Sequence, residues 1–209
     1  MNEAMDEHFW INPLQLDRDG TGDTTDNPPP GLEVTDPREI VDNFFSDAQI
    51  AFGQLEDLKT HMAEVHYPAL NPPSLEIHKM EFLNVLENFL TRNQDPLKDI
   101  LHYLQKFGVS LFQVIQEAKE EDASSEYFEK LLETRDKMVQ LISDIQLALA
   151  ASQKSPPEDI TYEMLPPHMK RNKRSPLVKG IRDYMVIRDY SNFLQDILNQ
   201  RNVLLAAYS

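Results

Sequence analysis

Four long stretches of this 209-residue chain carry apolar residues at three- and four-residue spacing, and the links between them run long, short, long. The first stretch follows Asp36-Pro37, places Val41, Phe44, Phe45, Ala48, Phe52, Leu55, Leu58, Met62 and Val65 on one face, and stops at Tyr67-Pro68. Such positions line one side of a helix with 3.6 residues per turn. The second follows Asp95-Pro96, with Leu97, Ile100, Leu101, Leu104, Phe107, Leu111, Ile115 and Ala118. The third opens at Ser125-Glu126, with Phe128, Leu131, Leu132, Met138, Val139, Ile142, Ile145 and Leu149. The fourth opens at Ser175-Pro176, with Leu177, Ile181, Tyr184, Ile187, Leu194, Ile197, Leu198, Leu204 and Leu205. Each start has an Asp or Ser able to accept from free helix N–H groups, and three have a proline at the first helical position, where its missing N–H is harmless. The spacing predicts helices over 37–66, 96–118, 126–150 and 176–207, and a short helix through Met80, Leu83, Leu86 and Leu90.

The links set the order of directions. Lys119 to Ser125 is short, so the second and third helices should be antiparallel. Tyr67 to Asp95 and Ala151 to Ser175 are long. A thirty-residue helix is roughly 45 Å long, and an extended chain covers that in about a dozen residues at about 3.3 Å each. Each long link can therefore run back along a whole helix and let the next one start at the same end. The expected fold is all-α, a long-chain four-helix bundle ordered up-up-down-down with two long crossover loops. An up-down-up-down order would leave two long loops without a role, and such loops are uncommon in compact domains.

The formal charge is −15. Nucleic acid and anionic membrane reward clustered positive charge, so neither is expected as the main partner. Residues 1–36 hold nine acidic residues against the single base Arg18, show no apolar periodicity, and include Asn27-Pro28-Pro29-Pro30-Gly31. Residues 1–35 are therefore expected to be a disordered acidic tail before a helical domain over 36–209. There is no cysteine, which excludes disulfides, thiolate metal sites and cysteine catalysis. No run of about eighteen apolar residues suits a membrane-spanning helix. Met1-Asn2-Glu3-Ala4-Met5-Asp6-Glu7-His8 has neither the basic nor the apolar region of a signal peptide, so the expectation is an intracellular chain or a mature secreted form with an added Met.

Few residues suggest chemistry. Asp17, Asp19 and Gly22 fit part of a calcium loop, but Pro28 stands where a bidentate Glu belongs and no helix can lead in through Asn12-Pro13. Asp17-Arg18-Asp19-Gly20-Thr21 also imitates the nucleophile loop of haloacid-dehalogenase-type phosphatases, without the buried strand or βα alternation that loop requires. A flexible acidic tail is the simpler reading of both. His8, His61, His66, His78, His102 and His168 never form the His-Glu-x-x-His or Glu-x-x-His spacing of metal sites. His61 and His66 lie near the end of the first helix, where an imidazolium suits the dipole. No glycine-rich phosphate loop or Gly-x-Ser-x-Gly elbow occurs, so no enzyme, cofactor or metal is expected. Lys170-Arg171-Asn172-Lys173-Arg174 is the one dense basic run, and Arg171-x-Lys173-Arg174 has the form cut by secretory proprotein convertases. A solvated loop is its simpler reading. Phe112 and Phe193 sit least comfortably on their stripes and are candidate surface contacts.

Several segments resemble, in order, the interleukin-6-type four-helix cytokines, and within them the interleukin-11-like branch. Gly180-Ile181-Arg182 near the start of the fourth helix, followed by an amphipathic run to Leu204-Leu205, looks like the family's last helix. Ile100-Leu101-His102-Tyr103-Leu104-Gln105 resembles its Leu-x-Tyr-Leu pattern, Pro156-Pro157-Glu158-Asp159 its proline-rich exit from the third helix, and Ser74-Leu75-Glu76-Ile77 the Leu-x-Met of its first long link. The resemblance covers about residues 37–207 and implies a secreted cytokine, a monomer when free. Such a protein signals by joining a specific α-receptor to a shared signal-transducing receptor. It implies a site I for the α-receptor at Leu75, Ile77, Gln200 and Arg201, and a site III for the shared receptor at Leu177 and Val178. Two departures stand out: Val178 occupies the place of the family's tryptophan, and the chain is acidic where mammalian members are basic. The alternative from a different class is an intracellular helical adaptor or scaffold without catalytic activity.

Overall fold

The computed structural model of the protein describes residues 8–11, 13, 36–70, 72–75, 80–85, 95–170 and 175–206. Among these there is no strand, and the six α-helices are α1 (Pro37–His61), α2 (Pro72–Leu75), α3 (Pro96–Asp122), α4 (Glu126–Ala151), α5 (Pro176–Asn199) and α6 (Arg201–Ala206). Four of them are long. Asp36 caps α1 by accepting from the Arg38 N–H at 3.0 Å, and Ser125 caps α4 by accepting from Phe128 N at 3.2 Å. Asp95 does not cap α3 with its side chain; its carboxylate meets Lys154 at 3.2 Å and Lys98 at 3.8 Å. The end of α1 widens into a π turn over Met62–His66, closed by Tyr67 N donating to Met62 O.

Long-range pairs give the directions. Lys137 on α4 meets Asp47 on α1 at 3.2 Å, and Glu126 at the start of α4 lies 3.7 Å from His61 at the end of α1, so these two helices are antiparallel. Arg201, just past α5, pairs with Asp42 near the start of α1, while Tyr67, just past α1, meets Asp183 near the start of α5. Lys154 and Asp95 bring the end of α4 to the start of α3, and Arg182 and Glu117 bring the start of α5 to the end of α3. Thus α1 and α3 run one way, and α4 and α5 the other. Both α1 and α3 pack directly on α4 and on α5, whereas α1 and α3 are not close neighbours. Val41, Phe44, Leu55, Leu58, Leu104, Phe107, Leu141, Ile145, Ile187 and Leu194 fill one continuous core.

Several expectations need correction. Residues 8–11 do not behave as a free tail. Trp10 is 0% exposed, Phe9 is buried, and the Trp10 indole N–H donates to Ile160 O at 2.8 Å. An indole offers more apolar area than an acidic segment can leave in water, which sequence-wide charge does not reveal. Most of the rest of that tail, Asp17 to Asp23 included, lies outside the described residues. Phe193 is no surface contact: it is 1% exposed, between Tyr103 and Phe107. Phe112 is half-buried, its ring 5.2 Å from that of Trp10, because residues 8–11 pack on its side of α3. The second helix runs to Asp122, beyond its expected end at 118. The last helix breaks at Gln200, which turns Arg201 toward Asp42 and lets Leu204 enter the core. Of the short helix expected near Met80, a 3-10 turn over Glu81–Leu83 is seen, and 86–90 lie outside the described residues.

Candidate functional site

The first two turns of α5 hold an apolar pair above a polar clamp. Ser175 caps the helix by accepting from Val178 N at 3.5 Å, and Pro176 occupies its first turn. Leu177 and Val178 then stand 50% and 40% exposed. One turn further the side chains point inward. Arg182 donates from Nη1 and Nη2 to the two carboxylate oxygens of Glu117 on α3, both at 2.9 Å, and from Nε to Asp183 Oδ1 at 2.9 Å. Lys179 Nζ donates to Asp183 Oδ2 at 3.0 Å, to Tyr67 Oη at 2.7 Å and to Glu121 at 3.1 Å, and Tyr67 donates in turn to Asp183 Oδ2 at 3.0 Å. Gln113 donates to Glu117 Oε1 at 2.6 Å and accepts from the Tyr162 hydroxyl at 2.6 Å, which extends the clamp into the second crossover.

Burial alone would neutralise these groups, but pairing overrides it. Burial pulls Lys179 and Arg182 down; for Lys179 the Asp183 carboxylate, and for Arg182 the hydrogen bond to Glu117, outweigh it and raise both above their ordinary values. Burial would raise Glu117, and the Arg182 hydrogen bonds and charge bring it below the usual carboxylate value. The ions are held as fixed pairs joining α1, α3, α5 and the crossover, so the first turn of α5 rises from a rigid base. At His66 burial first and Lys179 second push the imidazole pKa down, which disfavours an imidazolium, and the ring stacks on Tyr127 at 3.9 Å.

Gly180 and Arg182, part of the triplet that carries the resemblance, each have a local structural reason. A Cβ at Gly180 would meet the Tyr67 ring at 2.9 Å, and Arg182 is the counter-ion of Glu117. Near the same end of the molecule Val65 is also exposed, on the π turn that closes α1.

Leu75 and Arg201 of the expected site I do not come together. Leu75 is 8% exposed, and its carbonyl accepts from Arg188, about thirteen residues before Arg201 and therefore roughly 20 Å away along the helix axis. The buried Arg188 guanidinium requires an acceptor besides Asp189, and the Leu75 backbone supplies one. Ile77 lies outside the described residues. Gln200 forms the break, and Arg201 is half-exposed, on Asp42 and over the Phe45 ring at 5.6 Å. The first link meets α5 instead around a shallow cleft of about 100 Å³ lined by Leu83, Asn84, Val85, Asp189, Asn192 and Asp196, among others. Sequence reasoning passed over Asp189, Asn192 and Asp196, whose spacing puts them on one helix face.

Among the described residues no group of three or more His, Asp or Glu side chains is placed to hold a metal ion. No described helix is long and apolar enough to cross a membrane. The basic residues 171–174 lie outside the described residues. Comparison of the chain with protein-family models, curated proteins and solved structures returns no match.

Proposed function

We propose that this protein is a secreted helical cytokine of the interleukin-6 type, most like interleukin-11, that signals by assembling a specific α-receptor with a shared signal-transducing receptor. In this reading the four long helices form a long-chain bundle ordered up-up-down-down. The parallel run of α1 and α3, and the direct packing of each on both α4 and α5, support that order. The observation that carries the functional reading is the exposed Leu177-Val178 pair on a charge-clamped helix start. Protein interfaces draw most of their energy from a few apolar anchors on rigid elements, where little ordering is left to pay for on binding. Leu177 and Val178 are the proposed contacts for the shared receptor, with the aliphatic pair doing what the family's tryptophan does.

For the α-receptor, Gln200 and Arg201 at the α5–α6 break are the proposed contacts. Leu75 acts beneath the surface, by holding the first link against Arg188. The test is direct binding of the full chain to ectodomains of an interleukin-11-type α-receptor and of the shared receptor, singly and together, by surface plasmon resonance. A ternary complex tighter than either pair is expected. Absence of binding at micromolar concentration in all three formats would remove the reading.

A further inference from the structure

The turn His8–Ile11 is joined to groups 94 to 150 positions away in sequence. The Trp10 indole donates to Ile160 O at 2.8 Å. Gln146 on α4 and Gln105 on α3 both donate to Ile11 O, at 2.8 and 3.4 Å. Gln105 also donates to Asp159 Oδ1 at 3.0 Å and accepts from Ile160 N at 3.4 Å. The Trp10 ring meets Phe9 and Phe112, each at 5.2 Å, and Phe112 meets Tyr162 at 6.1 Å. Gly108 forms the floor: a Cβ there would lie 2.3 Å from Trp10 Cβ and 3.3 Å from Met138 Sδ.

We propose that residues 8–11 are a detachable strap, a ligand carried by the chain itself, seated in a groove between α3 and α4 beneath the second crossover. Its release frees the crossover around residues 158–160 and leaves the four long helices folded. Two observations carry this. The strap sits on Gln105, Gly108 and Phe112, which share one side of α3, whereas Ile100, Leu104, Phe107 and Leu111 on another side of the same helix fill the core. Removing the strap therefore uncovers one face of α3 without emptying the other. The crossover, by contrast, has no helix of its own over Ser155–Ile160 and depends on Trp10 and Gln105 for bonds to both sides of the Ile160 peptide unit. A segment without helical hydrogen bonds of its own, tied down by side chains of other elements, opens locally below the free energy of global unfolding when those ties are released. The groove continues into an open cavity of about 530 Å³ lined by His8, Phe112, Gln113, Glu117, Glu120 and Tyr162, among others, so the strap also forms one wall of that space.

Trp10 is the only tryptophan of the chain, so its fluorescence reports the seat directly. In Gly108→Ala the new methyl blocks the seat while alanine favours the helix. The full-length variant is expected to show red-shifted emission, a severalfold rise in acrylamide quenching and severalfold faster hydrogen exchange at 158–160. Its far-UV circular dichroism should stay unchanged. Shielded emission in the folded variant, or unchanged exchange at 158–160, would overturn the proposal. Should Gly108→Ala fail to fold, the unmodified chain decides by a thermal ramp. Trp10 emission is expected to shift at a lower temperature than the helical signal, and coincident midpoints would overturn the strap.

Discussion

Arg182 on α5 grips Glu117 on α3 through two parallel hydrogen bonds of 2.9 Å, with both side chains nearly buried. Bidentate geometry is the arrangement in which a guanidinium recovers most of the cost of leaving water. The pair does more than join two helices. It shares Asp183 with Lys179 and reaches the crossover through Gln113 and Tyr162, so four separate segments depend on it.

Removing one partner should therefore cost far more than removing both. Arg182→Met leaves Glu117 and Asp183 as buried carboxylates and is expected to lower stability by about 3–5 kcal/mol in denaturant unfolding. Adding Glu117→Gln should return part of the loss. A double variant as unstable as the sum of the single changes would show that the two residues act independently.

Gly180 offers a reversal of sign. Alanine in a helix interior is favoured over glycine by about 1 kcal/mol, but a Cβ here would meet the Tyr67 ring at 2.9 Å. Gly180→Ala is expected to destabilise the protein by roughly 1 kcal/mol net. In a Tyr67→Ala background the same change should stabilise it. Thermal unfolding of the four variants makes the comparison.

Asp144 on α4 is buried, and burial lifts its pKa to about 6, with Asp47 adding to the lift and the Gln140 hydrogen bond opposing it. The folded protein thus holds this proton more tightly than the unfolded chain does. Its contribution is fully present below the ordinary carboxylate pKa of about 4 and is lost as pH rises through about 6. Asp144→Asn should accordingly stabilise the protein by about 1–3 kcal/mol at pH 7.5, with the difference fading by pH 4. An equal effect at both pH values would mean Asp144 is ionised throughout.

The exposed pair Leu177 and Val178 supports little of the fold. Replacing both with serine should change stability by no more than about 0.5 kcal/mol while weakening shared-receptor binding at least about tenfold. Loss of stability together with binding would assign the pair to the fold.

Arg201 and Asp42 are each about half exposed, and such pairs contribute about 0.2–1 kcal/mol. Arg201→Glu is expected to leave the melting temperature nearly unchanged and to weaken α-receptor binding. A drop of several degrees would show that the α5–α6 break needs this contact.

The all-helical class, the starts of the four long helices and the stop at Tyr67-Pro68 were legible because each rests on local chemistry. Apolar spacing, a capping oxygen and a proline act within a turn or two of where they stand. The loop lengths carried the expected directions. Other features were hidden for a common reason: their partners lie far off in the sequence. Trp10 reads as part of an acidic tail until Ile160, Gly108 and Gln146 are brought to it. Leu75 reads as an exposed anchor until the buried Arg188 claims its carbonyl.

The triplet Gly180-Ile181-Arg182 shows the division most clearly. As a string it indicated a resemblance and the start of a helix. Only the tertiary structure decided why glycine and arginine stand there, one beneath the Tyr67 ring and the other against Glu117. Sequence by itself determined where the long helices start, because capping and apolar spacing are local. Which buried charges meet, and what covers the outer side of α3, was decided by packing. Those pairings take place between groups brought together only when the whole chain has folded.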